Sequence, residues 1–491
     1  MNTLKFLYGH SLALLTDFYQ LTMAYSFWKS PKADYEGTFN LYFRANPFKG
    51  GYTIACGLQT AIDYVKNFSF SKDDIDYLAT LKGNDGLALF EADFLEYLKN
   101  LSFACTIDAV PEGTVVFPNQ PLIRVSGPII QCQLLETPLL NIINFQSLIA
   151  SKASRICQAT LGEPVLEFGL RRAHGIDGAT TASRAAYIGG VDATSNVLAG
   201  RLYGIPVRGT HAHSWIMSFD SETEAFEEYA KAMPNNCIFL VDTYDTIEGV
   251  RKAVQVGKKL QEKGFKMGGI RLDSGDLAYL SIQAREILDE NGFPDAVIVA
   301  SNDLDEKIIV SLKDQGAKIS VWGVGTKLAT AWDQPALGGV YKLAALRPPG
   351  GKWQYKIKLS EQREKVSNPG IHQIRRYKYN NEYIADAIYD VNISDMKNPV
   401  IVDPMDYTRQ KLIYAGAIYE DLLKPIFKQG EYVYAAPSIH ESREYAREQI
   451  NGFHAGIKRF VNPHQYPVGL ERKLDQLKTK LIFAARGKKH A

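Results

Sequence analysis

No stretch of this 491-residue sequence approaches the roughly 18 to 20 consecutive apolar residues that a membrane-spanning helix requires. The apolar run Leu12 to Leu15 is too short for the core of a secretion signal and has Asp17 close behind it. Cysteine is scarce. Cys56, Cys105, Cys132, Cys157 and Cys237 are odd in number, widely spread and form no Cys-x-x-Cys pair. That excludes a disulfide framework and a structural zinc ribbon, and fits reduced thiols in a cytoplasmic protein. An excess of one charge is missing too: 56 basic against 54 acidic residues leave a net charge of +2. A broad electrostatic surface for nucleic acid or for a membrane is therefore not expected. There is no low-complexity segment, and fractions of 46% hydrophobic and 22% charged residues give no ground for disorder.

What is present is enough chain for two or three domains, including one barrel of about 200 to 250 residues. From about 166 to 343 one pattern recurs: a β-branched run, a polar or glycine-rich break, an amphipathic helix and a glycine. Cys237-Ile-Phe-Leu-Val-Asp242 leads into a helix from Thr246 to a stop at Gly264. Gly268-Gly-Ile-Arg-Leu-Asp273 leads into one with Leu277, Leu280, Ala284, Ile287 and Leu288 on a single face, ending at Gly292. Ala296-Val-Ile-Val-Ala300 precedes a helix ending at Gly316, and Lys318-Ile-Ser-Val-Trp322 follows. Fully apolar strands alternating with one-sided helices predict a parallel sheet covered by helices. Because each strand ends in a chemically loaded segment, a barrel that gathers all strand ends at one mouth is favoured over an open doubly wound sheet.

The flanks differ. Residues 1–130 are expected to form an α+β domain and 131–345 the α/β barrel. Residues 346–491 are expected to be strand-rich and then helical, packing in part with the first domain. Asn380-Asn381, between Ile374 to Tyr379 and Tyr383 to Tyr389, marks a hairpin, and a basic tail runs through Lys488 and Lys489.

Four strand ends carry candidate chemistry. Arg271-Leu-Asp-Ser-Gly-Asp276 sets a cation beside two carboxylates, fit to hold an anionic group, stabilise developing positive charge or bind Mg²⁺ through water. The plainer reading has Asp276 capping the helix and Arg271 pairing with Asp273. Gly323-Val-Gly-Thr326, with Gly338-Gly339 soon after, can cradle a phosphate on exposed N–H groups and a hydroxyl. Arg171 and Arg172 have guanidinium forks suited to a pyrophosphate, although one of them is expected to turn to a structural carboxylate. In Gly209-Thr-His-Ala-His-Ser214 the residues alone leave open which of His211 and His213 faces the mouth.

Taken together and in order, these segments resemble the nicotinate phosphoribosyltransferase family. The resemblance begins at Leu15-Thr-Asp-Phe-Tyr-Gln20 and runs through Phe43-Arg44, Pro47-Phe48, Leu135-Glu-Thr-Pro138, Glu167-Phe-Gly-Leu-Arg-Arg172 and Ser195-Asn-Val-Leu-Ala199. It continues through the His213 loop, Arg271-Leu-Asp-Ser-Gly-Asp276, Gly323-Val-Gly-Thr326, Gly338-Gly-Val-Tyr-Lys342, Lys358-Leu-Ser-Glu361 and Asn368-Pro-Gly370. It implies an α/β fold, an incomplete parallel TIM-like barrel with flanking α+β domains, in a homodimer with active sites shared across the interface. It implies that nicotinate and 5-phosphoribosyl 1-diphosphate give nicotinate mononucleotide and diphosphate, with ATP as co-substrate and Mg²⁺, as the entry to NAD salvage. By motif position, Tyr19, Thr210 and Arg271 would bind nicotinate, Tyr19 from the partner subunit. Arg171, Gly323, Gly325 and Thr326 would hold the phosphoribosyl diphosphate. Asp273 would be catalytic, and His213 would be transiently phosphorylated. Related nicotinamide enzymes carry an acid after the Gly-Thr pair, so His211 in that place suits an acidic substrate.

The competing reading from another class is a metal-dependent hydrolase built on the His211-x-His213 pair, which needs further histidine or aspartate ligands on later strands, where the sequence offers carboxylates but no histidine. An inactive regulatory relative would be expected to lose His213, Arg271 or the glycine loop, and all are present. Within the family, nicotinamide and quinolinate are the rival substrates.

Overall fold

The computed structural model describes residues 7–397 and 399–487; the basic residues Lys488 and Lys489 lie outside them. The chain packs as two units, Ile149–Pro335 and the combination of Met1–Leu148 with Ala336–Ala491.

Unit Ile149–Pro335 holds six parallel strands: β1 (Val165–Glu167), β2 (Ala193–Thr194), β3 (Ile238–Leu240), β4 (Gly269–Leu272), β5 (Val297–Ala300) and β6 (Val321–Val324). Their order across the sheet is β2-β1-β6-β5-β4-β3. The last strand thus pairs with the first, Trp322 opposite Val165 and Val324 opposite Glu167. A single parallel bridge from Thr194 to Val207 carries the sheet one step past β2. Followed around, the strands run in chain order and close on themselves everywhere except between Val207 and β3. This is an incomplete TIM-like barrel. The strands are apolar on both faces because helices cover one side and the barrel interior the other: Ile270, Leu272, Ile298 and Ala300 are all fully buried.

The helices begin and end where simple chemistry directs. Asp245, Asp276 and Asp305 each accept hydrogen bonds from the first-turn amides of helices Thr246–Glu262, Leu277–Glu290 and Glu306–Asp314. Just past the three C-termini, Gly264, Gly292 and Gly316 have φ of +81°, +84° and +79°, which costs a side-chain-bearing residue far more than glycine. Every crossover therefore returns the chain to the same rim, and the segments after the strands meet there.

In the second unit, strands from both ends of the chain share one sheet. Glu36–Tyr42 pairs with Val340–Arg347 and with Ile123–Pro128, while Lys424–Lys428 pairs with Thr106–Ala109. Two of these pairings join residues about 300 apart, so both ends of the chain pack in one unit. A further six-stranded sheet contains the hairpin His372–Tyr379 and Glu382–Asp390, turning at Asn380 and Asn381 with φ of 49° and 65°. Its interior encloses the ion pair Arg376–Asp386, both side chains wholly buried, with Gln120 and Tyr466 completing the carboxylate's partners. None of the five cysteines forms a disulfide. Among the described residues, no helix is long and apolar enough to cross a membrane.

Candidate active site

The carboxyl ends of β3, β4 and β5 and the loop after Val207 build one hydrogen-bonded cup. Arg271, on β4, is held by three of its five donors. Nε donates to Ser301 Oγ (2.8 Å), Nη1 to Thr210 Oγ1 (3.0 Å) and Nη2 to Asp273 Oδ1 (2.9 Å). Ser301 also donates to Asp273 Oδ1. Burial raises the Asp273 pKa, but the Ser301 hydrogen bond and the Arg271 charge outweigh it, so the carboxyl titrates below its ordinary range. Thr210, Arg271 and Asp273, singled out from the sequence, are thus in direct contact. The plainer readings also hold in part, since Asp276 caps its helix and Arg271 does pair with Asp273. The pairing orients the guanidinium without exhausting it.

Asp242 was visible in the sequence only as the end of a strand. Its side chain is completely buried and both oxygens are engaged: Oδ2 accepts from the Asp273 amide (2.8 Å) and the Ser274 hydroxyl (2.7 Å), and Oδ1 faces His213 Nε2 at 3.2 Å. In the neutral ring, an acceptor carboxylate at Nε2 favours the tautomer with the proton there and the lone pair on Nδ1. His213 opens a short helix, His213–Met217, and its side chain is 39% exposed.

His211 points elsewhere. Its Nε2 accepts the Leu240 amide at 3.2 Å, so the ring supplies on β3 the acceptor that a neighbouring strand would have supplied at the open seam of the barrel. Tyr229 packs edge-on at 4.8 Å. Burial pushes the His211 pKa down to about 4 and keeps it neutral. One member of the His-x-His pair, on which the competing hydrolase reading rests, is committed through Nε2 to the backbone. Among the described residues no group of three or more potential metal ligands is present.

The remaining candidates sit on neighbouring parts of the rim or in the other unit. Arg171 and Arg172 lie on the turn Leu170–Arg172 after β1, exposed, and among the described residues neither forms an ion pair. Neither has turned to a structural carboxylate, contrary to the expectation for one of them. Gly323 lies within β6, and Gly325 and Thr326 open the short helix Thr326–Ala329. The requirement for Gly323 is packing: a Cβ there would come within 2.8 Å of the Phe168 ring. That same ring lies 5.7 Å from the Arg271 guanidinium carbon. Gly338 and Gly339 belong to the other unit, where Gly339 packs on Asn144. Tyr19 is also there, half-exposed on helix Phe18–Lys29, with desolvation and then Glu136 raising its phenol pKa.

Comparison with known proteins identifies the lineage of this cup. Three family models match in order along the chain: the nicotinate phosphoribosyltransferase N-terminal domain over residues 14–144, the nicotinate phosphoribosyltransferase family over 164–350, and the C-terminal domain over 372–478. The chain belongs to the nicotinate phosphoribosyltransferase family. The enzyme of that name from Bacillus subtilis is 44% identical over 94% of this chain and 93% of its own length. The one from Caenorhabditis elegans is 39% identical over 94% and 92%. The crystal structure of human nicotinic acid phosphoribosyltransferase superposes with a TM-score of 0.82 at 30% identity, covering 95% of this chain and 99% of that one. A nicotinate-nucleotide pyrophosphorylase from Pyrococcus furiosus shares the fold at 22% identity, with a TM-score of 0.69. For a phosphoribosyltransferase the arrangement is apt: one cation aimed by three neighbours, two carboxylates beside it, and a histidine held by the more buried of the two.

Proposed function

We propose that this member of the nicotinate phosphoribosyltransferase family forms nicotinate mononucleotide and diphosphate from nicotinate and 5-phosphoribosyl 1-diphosphate, with ATP hydrolysed through a phosphohistidine at His213. The observation that carries the reading is the continuous network Thr210–Arg271–Asp273–Asp242–His213. It joins a carboxylate-reading cation to a nucleophilic ring nitrogen.

Arg271 keeps two N–H donors beyond its three protein partners, enough to fork onto the nicotinate carboxylate, with Thr210 adjoining. Phe168, beside Arg271, offers a face for the pyridine ring. The pyridine nitrogen attacks ribose C1 as the bond from C1 to the diphosphate oxygen breaks. Positive charge builds on the ribose, and the Asp273 carboxylate at the cup stabilises it. Arg171, Gly323, Gly325 and Thr326 are assigned to the phosphate groups, and the absence of an ion-pair partner for Arg171 among the described residues supports this. Asp273 Oδ1 takes both protein donors, so Oδ2 fits a water-bridged Mg²⁺, which when bound would neutralise charge on the leaving diphosphate.

In the coupling step His213 Nδ1 attacks the γ-phosphorus of ATP and ADP leaves. Asp242 holds Nε2–H and stabilises the charge that develops on the ring. Water later cleaves the N–P bond, returning phosphate and free histidine. The assembly is a homodimer in which Tyr19 of the partner subunit completes the nicotinate pocket. Large exposed apolar side chains on the segments that follow the strands, among them Leu170, Ile176, Val197, Met217, Tyr244 and Trp332, support a cover of this kind.

Incubation with phosphoribosyl diphosphate and either nicotinate or nicotinamide, with and without Mg-ATP, tests the reading. The expected product is nicotinate mononucleotide, its yield raised by Mg-ATP and matched by ADP and phosphate. A mononucleotide from nicotinamide and none from nicotinate overturns it.

A further inference from the structure

Glu167 is the residue of the rim that the proposed chemistry leaves unused. It ends β1, its side chain is 1% exposed, and among the described residues it has no cationic partner. A carboxylate buried without a counter-charge is costly unless donors surround it. Here they do. Oε1 accepts the Gly169 amide, and Oε2 accepts the hydroxyls of Thr194 (2.6 Å) and Ser183 (2.8 Å).

Gly169 and Thr194 come from two different strand ends, and Ser183 from within the helix Gly175–Ile188. Gly169 begins the turn that carries Arg171 and Arg172, and its carbonyl accepts the Arg172 amide (2.9 Å). Thr194 ends β2 and its hydroxyl oxygen also accepts the Asn196 amide (3.0 Å), while Ser183 accepts from the Asn196 side chain (3.3 Å). Gly169 in turn is pressed against the glycine loop after β6: a Cβ on it would meet Gly325 O at 2.9 Å and Ala329 Cβ at 2.4 Å. One carboxylate thus ties together the ends of β2 and β1, and through Gly169 the segment after β6. Among the described residues the Arg171 side chain has no anchor, so its place depends on this turn.

We propose that Glu167 is the positioning residue of the phosphoribosyl diphosphate subsite, setting the arginine turn against the Gly325–Thr326 loop without touching the substrate. The proposal rests on the function proposed above for the rim. An apolar residue would fill the same volume, but it would leave the Gly169 amide without its acceptor and the hydroxyls of Thr194 and Ser183 free to rotate away.

The test is calorimetric titration of the intact protein with phosphoribosyl diphosphate in Mg²⁺ buffer, for wild type, Glu167→Gln and Thr194→Val, alongside steady-state kinetics and thermal unfolding. Both variants are expected to weaken phosphoribosyl diphosphate binding and raise its KM, about tenfold or more for Glu167→Gln, as for loss of hydrogen bonds to a charged group. The KM for nicotinate and the labelling of His213 by ATP are expected to change by no more than about twofold. Glu167→Asp, one methylene shorter, is expected to restore binding less well than wild type but better than Glu167→Ala. Unchanged phosphoribosyl diphosphate affinity in a variant whose unfolding temperature drops shows a scaffold role alone and overturns the proposal. Parallel losses for both substrates overturn it as well. Wild-type protein that fails to bind phosphoribosyl diphosphate overturns the function proposed above instead, so the two failures are separable.

Discussion

A histidine two residues from its twin can have the opposite job. His213 is partly exposed with Nε2 fixed by Asp242, whereas His211 is spent through Nε2 on the backbone of β3. His211 and His372 share a second property: burial depresses both to about 4. An unfolded histidine titrates near 6.5, so the unfolded chain binds more protons than the native one between about pH 6.5 and 4. Their contribution to stability is full above about pH 6.5 and is lost as pH falls toward 4, by roughly 3 kcal/mol for each group at most. Urea unfolding followed from pH 7.5 to 4.5 is expected to show this decline before the carboxylates titrate, with a shallower slope in His211→Asn. A flat profile over that interval contradicts the assignment.

At the scale of elements, the recurring strand and helix units were plain in the sequence because each signal is local. The aspartate caps, the glycine stops and the Asn380-Asn381 turn depend on residues within one turn of the chain. What was not plain depends on partners far along it. Asp242 becomes the holder of His213 only when β3 and the loop after Val207 are brought together. The choice between His211 and His213 depends on a seam that no local pattern marks. The motif order did name Thr210, Arg271 and Asp273, which the fold brings into contact. Gly323 shows how a correct position can have an unexpected reason, namely the Phe168 ring beneath it. Gly323→Ala is expected to push that ring off its place beside Arg271 and to raise the KM for nicotinate about tenfold or more, as reactant misplacement does. Gly178→Ala, inside helix Gly175–Ile188 with no atom closer than 3.9 Å to the added methyl, is expected to leave turnover intact and stability equal or higher. Equal behaviour of the two variants would count against the packing account.

For the molecule as a whole, strands from both ends of the chain share one sheet, so Met1–Leu148 and Ala336–Ala491 pack as one unit. The long-range pairing of Glu36–Tyr42 with Val340–Arg347 leaves no local trace. The exposed apolar rim makes a prediction at the same scale. Sedimentation is expected to give twice the mass of the 54.8 kDa chain, and a charge at Ile176 (Ile176→Arg) is expected to shift it toward monomer with loss of turnover. A monomer with full activity contradicts the shared-site proposal.

The central claim is that one rim holds both an acid-reading cup and a phosphoryl acceptor coupled to it. The most direct measurement follows labelled phosphate from [γ-³²P]ATP onto the protein and off again. Wild type is expected to take up acid-labile label that maps to His213 and to discharge it quickly on addition of phosphoribosyl diphosphate with nicotinate, but not with nicotinamide. His213→Ala is expected to take up none. Label that persists in His213→Ala, or that nicotinamide discharges as well as nicotinate, contradicts the account.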